Sequence, residues 1–179
     1  SVDLGHERIL WLFGDSFVAT GEQRDRRASV MVRNTIAVQC GYEPATAKVQ
    51  FGWRTGDDGK PAPFFGNHDA EGYWPLHGIR LAGGPLLLWQ MRVRNTPGQG
   101  LGFAIDGWRI LRVDNPEAEP WQWQWREVHV GSVPFPWVMG TSVWRSGDYV
   151  EVLGTRGNGP HEGLLCRFSI AELLGDVAV

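Results

Sequence analysis

No stretch of this 179-residue chain approaches the ~18 consecutive apolar residues of a membrane-spanning helix, so no span is expected. Cysteine is scarce. Cys40 and Cys166 form no Cys-x-x-Cys pair, and no set of Cys, His and carboxylate residues has metal-ligand spacing. Both thiols sit in strand-like apolar runs and are expected to be buried and free, with a single disulfide as the alternative. Basic residues are outnumbered, 17 Lys and Arg against 20 Asp and Glu, for a formal charge of −3. Nothing there supplies the counterion release that drives nucleic-acid binding, which excludes a polyanion-coating protein. Helix signals are nearly missing. Only residues 169–174 have a plausible start, with Ser169 as cap and Glu172 three residues on. The chain opens on Ser1 and shows no leader pattern.

What is plentiful forms strands and turns. The 42% hydrophobic fraction and 10 tryptophans give ample surface to bury, which argues against disorder, and 24 Gly and 11 Pro punctuate it. Short runs rich in Val, Ile, Trp and Phe read as strands at 8–18, 30–39, 47–55, 78–82, 85–94, 101–105, 108–113, 121–130, 139–145 and 148–155. Asp57-Asp58-Gly59 and Ser146-Gly147-Asp148 read as tight turns. The expected class is all-β.

One motif recurs: Arg8–Gly14, Pro85–Met91 and Asp148–Gly154 are each a run of about six strand residues. The interval, roughly 60–80 residues, suits a four-stranded antiparallel blade with long loops. The expectation is a single, incomplete β-propeller domain over 1–179, with blades at about 1–60, 70–130 and 135–179. An open set of blades leaves flat apolar end faces uncovered, so either further C-terminal blades or self-association is expected to cover them. A β-sandwich of roughly ten strands is the alternative.

Trp11–Val18, followed by Met31–Val38, resembles the opening of an uncharacterised bacterial family of five-bladed propellers, a domain of unknown function. That opening is a strand ending in Gly-Asp-Ser/Thr-Phe/Trp, then an Asn-Ser/Thr-hydrophobic strand. Tyr73–Gly78, Asn115-Pro116 through Pro120-Trp121, and Gly147–Val150 through Gly154 are similar to its blades. The resemblance implies about three blades of an expected five, and members about twice this length. It also implies a scaffold like that of propeller-type glycoside hydrolases such as arabinanases and fructosidases. Those enzymes carry an acidic residue on the innermost strand of the first blade, and Asp15 is the match. Export to the periplasm or medium is suggested only by this resemblance.

Asp15, at the end of an apolar strand, is the leading catalytic carboxylate, and a capping role for backbone N–H groups is the plain alternative. A glycosidase needs a second acid, about 5–5.5 Å away for retention or 6.5–9.5 Å for inversion. Glu162, in a Gly-rich loop at 157–163, is the candidate, with Asp106 and Asp69 weaker. Arg33 interrupts an apolar strand beside Asn34 and could pair with Asp15. Trp74 and Trp137 are sugar-platform candidates, and His77 and Arg156 complete the expected ligand contacts. Trp121, Trp123 and Trp125 would share one face of a strand and pack between blades. The Arg24–Arg27 run reads as a solvated loop or an anion clamp. Ser16 raises a rival, because Phe13–Ser16 resembles the nucleophile block of SGNH esterases, which needs a strand–turn–helix and a late Asp-x-x-His. The primary expectation is a carbohydrate-active protein, hydrolysing or binding a glycan in a central funnel. The alternative is a non-catalytic carbohydrate-binding or assembly module. No cofactor is expected, with a structural or site Ca2+ left open.

Overall fold

The computed structural model describes residues 1–22, 25–66, 72–98, 102–128, 133–156 and 162–175. It is all-β, with one short helix. The first sheet is built from β1 (Val2–Gly5) and β2 (Arg8–Phe13). A ribbon of β3 (Ser16–Ala19) and β4 (Ser29–Val32) leads back into it through β5 (Thr35–Cys40) and β6 (Lys48–Gly52). Its order is β1-β2-β5-β6, all antiparallel. A second ribbon, β7 (Arg54–Thr55) with β8 (Pro61–Ala62), leads on to β9 (Gly72–Arg80), β10 (Leu86–Asn95), β11 (Phe103–Val113) and β12 (Trp125–Val128). These four make an antiparallel meander, the second sheet. The third sheet is β13 (Trp137–Ser146), β14 (Tyr149–Arg156) and β15 (Gly163–Ser169), followed by α1 (Ile170–Leu174).

The sheets stack because of β10. Alternation sends Leu86 and Leu88 to one side and Leu87 and Trp89 to the other, and all four are fully buried. On one side they meet Leu10, Ile36 and Val38 of the first sheet, with Phe64, Phe65 and Trp123 filling the joint. On the other they meet Met139, Val143, Val150 and Val152 of the third sheet, with Leu173 of α1. A two-layer sandwich would bury only one face of each sheet. Three layers are present, as consecutive blades would be. The leading strand of the second sheet, β9, lies against β1 on one flank and β13 on the other.

Several elements differ from the sequence reading, each for a local reason. The 8–18 and 30–39 strands break at Gly14-Asp15 and Arg33-Asn34, where two residues on each side leave the ladder. Residues 72–77 belong to β9 rather than to a loop. Pro75 is tolerated because β9 is an edge strand and the register slips between Leu88 and Gln90. The separate 101–105 and 108–113 strands are one, because β11 runs through Asp106-Gly107 and absorbs it as a bulge opposite Arg92 and Val93. Pro120 opens a 3-10 turn over Pro120–Gln122, so period two fails there: Trp121 is exposed, Trp123 buried and Trp125 half-buried. Both cysteines are free, but Cys40, at the end of β5, is exposed rather than buried. The Gly59 and Gly147 turns are as read, both with positive φ. So is the helix start, where Ser169 Oγ accepts from Glu172 N–H at 3.0 Å.

The joint between the second and third sheets needs a glycine. Gly140 has φ +111°, and a Cβ there would collide with Trp89. Gly140→Ala is expected to cost upwards of about 2 kcal/mol in urea unfolding, because it adds backbone strain to overpacking.

Candidate functional site

The break in the first sheet's long hairpin creates the site. Phe13 pairs with Thr35 and Ser16 with Val32, and between these rungs Gly14-Asp15 face Arg33-Asn34 without a ladder. Freed from pairing, the two strand segments turn their side chains to opposite uses. Asn34 is fully buried. Its Nδ2 donates to the carbonyls of Phe65 (3.3 Å) and Tyr73 (3.0 Å), and its Oδ1 accepts from Phe65 N–H at 2.8 Å. One amide thereby ties the first sheet to the start of β9.

Arg33 goes the other way. Its Nη1 lies 3.3 Å from each oxygen of Asp15, and its Nη2 donates to Asn95 Oδ1 at the end of β10. The stem crosses Gly72, where a Cβ would collide with it. Trp74 Nε1 donates to Asp15 Oδ1 at 2.7 Å, and the Phe103 ring meets the indole edge to face, centroids 4.8 Å apart. Arg33 is 20% exposed at the side chain and Asp15 33%. The result is a carboxylate fixed by a guanidinium and an indole N–H, still open to solvent, beside an aromatic pair. Such a group accepts hydrogen bonds from ligand hydroxyls while the rings offer apolar contact.

The other candidates lie elsewhere. His77, on β9, accepts from Val143 N–H through Nδ1 at 3.0 Å, linking the second and third sheets. Trp137 pairs across strands with Arg156, whose Nη1 holds Glu162 Oε2 at 2.9 Å. That ion pair stands where β13 starts and β14 ends, the topological counterpart of Trp74 and Asn95 in the second sheet. Among the described residues the partners of Asp15 are Arg33 and Trp74, and that of Glu162 is Arg156. Asp106 is held by Arg92 (2.8 Å) and Arg94 (3.3 Å). Ser16 opens β3 rather than preceding a helix; its Oγ donates to the Gly14 carbonyl and contacts Thr35 Oγ1 at 2.8 Å. Asp69, Arg24 and residues 157–161 lie outside the described residues. The sequence reading missed Asn95 and Phe103, whose only signal was flanking a glycine-rich loop. Among the described residues no cluster of three or more His, Cys, Asp or Glu is placed to hold a metal ion, and no helix is long and apolar enough to cross a membrane.

A family model described as Domain of unknown function (DUF5005) matches residues 1–171. The chain belongs to that family. In this DUF5005 domain the match takes in all three sheets and the Asp15–Arg33–Trp74 cluster. None of the curated proteins compared matches the chain.

Two substitutions probe how the DUF5005 domain ties its sheets together. Asn34→Ala removes three hydrogen bonds, those to Phe65 N–H and to the Phe65 and Tyr73 carbonyls, and is expected to lower stability by about 2–4 kcal/mol in urea unfolding. His77 is the pH-sensitive tie. Burial lowers its pKa below the ordinary 6.5. As pH falls through the unfolded value, the unfolded chain takes the proton more readily, so stability is full above pH ~6.5 and declines below it. Denaturation at pH 7.5 and 5 should show a smaller loss for His77→Gln, which does not titrate, than for the wild type.

Proposed function

We propose that this domain is a carbohydrate-active protein of the five-bladed-propeller glycoside hydrolase type. Its three sheets, at about 1–60, 70–130 and 135–179, act as successive blades of one incomplete propeller domain. Its glycan site is the Asp15 cluster. The observation that carries the reading is the Asp15 carboxylate, held by Arg33 and the Trp74 indole N–H yet one-third exposed beside Phe103. Sugars combine hydroxyl donors with apolar C–H faces, and a positioned carboxylate flanked by aromatic rings answers both. Arg33 and Trp74 are the direct ligand contacts in this reading. Asn34 positions them by fixing the Tyr73 carbonyl. Trp137 and Arg156 extend the surface at the matching end of the third sheet, and His77 links the second sheet to the third.

Binding without cleavage is the second reading. It is favoured by Glu162, the candidate second acid, whose carboxylate is held by Arg156 at the third sheet. Hydrolysis would require an acid at one of the two separations that glycosidases use.

The test is a panel of neutral and acidic oligosaccharides, followed by tryptophan fluorescence and calorimetry, with reducing-sugar release measured in parallel. Asp15→Asn and Trp74→Ala should each weaken binding about 10–100-fold, the range set by one charged hydrogen bond or one stacking contact. Sugar release abolished by Asp15→Asn would select hydrolysis over binding. Failure of every oligosaccharide to bind, or unchanged affinity in both variants, would end the carbohydrate reading.

A further inference from the structure

A cavity lies in the joint between the first and second sheets, by the start of β2 rather than the end that leads to Asp15. It holds about 240 Å³, and its walls come from β5 and β6 on one side and from residues 119–121 on the other. Period two sends Ile36, Val38 and Cys40 to the same side of β5, the side that faces the second sheet. The register sets a neighbour beside each: Arg8 and Lys48 flank Cys40, Gln50 lies beside Val38, and Gly52 beside Ile36. Cations therefore stand at one end of the cavity and apolar groups at the other, about 13 Å apart along the strand. The opposite wall is pinned at both ends. Arg8 donates to the carbonyls of Glu117 (2.9 Å) and Ala118 (3.3 Å). The Trp121 ring rests on Gly52, where a Cβ would collide with it, and meets Phe64 edge to face, centroids 5.7 Å apart. Lys48, Gln50 and Glu119 line the same cavity, and among the described residues none of their side chains has a hydrogen-bond or ion-pair partner.

We propose that this cavity binds a small aromatic carboxylate, with its charged head at the Arg8–Lys48 row and its ring between Val38 and Trp121. The charges agree, since the lining holds two cations against one acid, Glu119. Glu119 follows the stretch that Arg8 holds and precedes the indole, so it stands beside the ligand's middle rather than its head. A carboxylate suits the row better than a phosphate. Arg8 has already given two N–H bonds to carbonyls, and Lys48 brings a single ammonium. The apolar end supplies contact for a ring, through Ile36, Val38 and the exposed part of Trp121. Size narrows the class further. Ligand cavities usually start at ~300 Å³, so this one takes a body of about ten non-hydrogen atoms. The proposal is independent of what the Asp15 cluster binds.

The probe is 3-phenylpropionate, with 3-phenylpropionamide as its uncharged counterpart. Ligand-observed NMR titration should give the acid a dissociation constant of about 0.1–1 mM, the range open to so few atoms. The amide should bind about tenfold more weakly, because it lacks the charge that both cations meet. Cys40 supplies a second readout, since it is exposed between Arg8 and Lys48, whereas Cys166 lies on β15. Acid at about three times its dissociation constant should slow iodoacetamide alkylation of Cys40 about fourfold, read by peptide mass spectrometry, and leave Cys166 unchanged. Lys48→Gln, at an exposed position, should weaken the acid about 2–5-fold and leave the amide unaffected. Trp121→Ala should weaken both by about tenfold. No binding of the acid at about 5 mM would overturn the proposal. So would equal affinities for acid and amide, or a Lys48→Gln variant that binds the acid as tightly as the wild type.

Discussion

The whole arrangement depends on a strand whose first half has no solvent-facing side. Leu86, Leu87, Leu88, Trp89 and Gln90 are all fully buried, so β10 must be covered on both faces. Each apolar side chain there contributes on the order of 1.5–3 kcal/mol when removed from water, and the gain requires a sheet on either side. That requirement orders the molecule. It places the first sheet against Leu86 and Leu88 and the third against Leu87 and Trp89. It carries cost as well. Gln90 meets Arg109 across the strands at 2.9 Å, and each retains a buried nitrogen without a partner. Burial lowers the pKa of Arg109, whose guanidinium lies 3.5 Å over the Tyr73 ring. Trp89 Nε1 is likewise buried without a partner, so these unsatisfied nitrogens gather at the middle of β10 around Trp89 and Gln90.

The class and the strands flanking the turns were legible because period-two alternation and glycine-marked turns are local signals. Gly147 between β13 and β14, and Ser169 before α1, needed no tertiary information. The Asp15–Arg33 pair was half legible. Two opposite charges interrupting apolar strands are costly unless they meet, and they do meet. The break in both strands was not, although Gly14-Asp15-Ser16 and Asn34 are turn-prone, because apolar residues resume on either side of each. Trp74 was singled out as a sugar platform, but the strand was read as starting only at 78, because Pro75 is a breaker everywhere except at a sheet edge. Asn95 and Phe103 are donated by another sheet, and no local pattern announces which distant residues a stacked neighbour will supply. The Trp121–Trp125 alternation misled because Pro120 set a 3-10 turn where period two implied a strand.

The site is also a consequence of the stack. Asp15 and Arg33 come from the first sheet, Trp74, Asn95 and Phe103 from the second, and the joint between the two sheets brings them together. Asn34 sits at the pivot, buried, with its amide spent on Phe65 and Tyr73. An unbroken ladder would hold Asp15 and Arg33 as a direct cross-strand pair fixed by the pleat, since the register on both sides keeps them opposite one another. The two unpaired residues on each side release them, at the cost of ladder hydrogen bonds that Asn34 partly replaces. Function-bearing polar groups concentrate where regular pairing lapses, because only there can a backbone position be held without being buried in a sheet.

The same reasoning separates the site from the apolar outer faces of the first and third sheets. Both are places where sheet pairing or stacking stops among the described residues, but they stop differently. At Asp15 the interruption is polar and filled by ion pairing and an indole N–H, so water is a tolerable neighbour. At Phe51 and Leu165 it is apolar, and the internal joints show what such faces do when another sheet is within reach. An exposed carboxylate between two donors needs a ligand only for function, whereas aromatic and aliphatic side chains gain by leaving water, through the same burial that holds β10 in place.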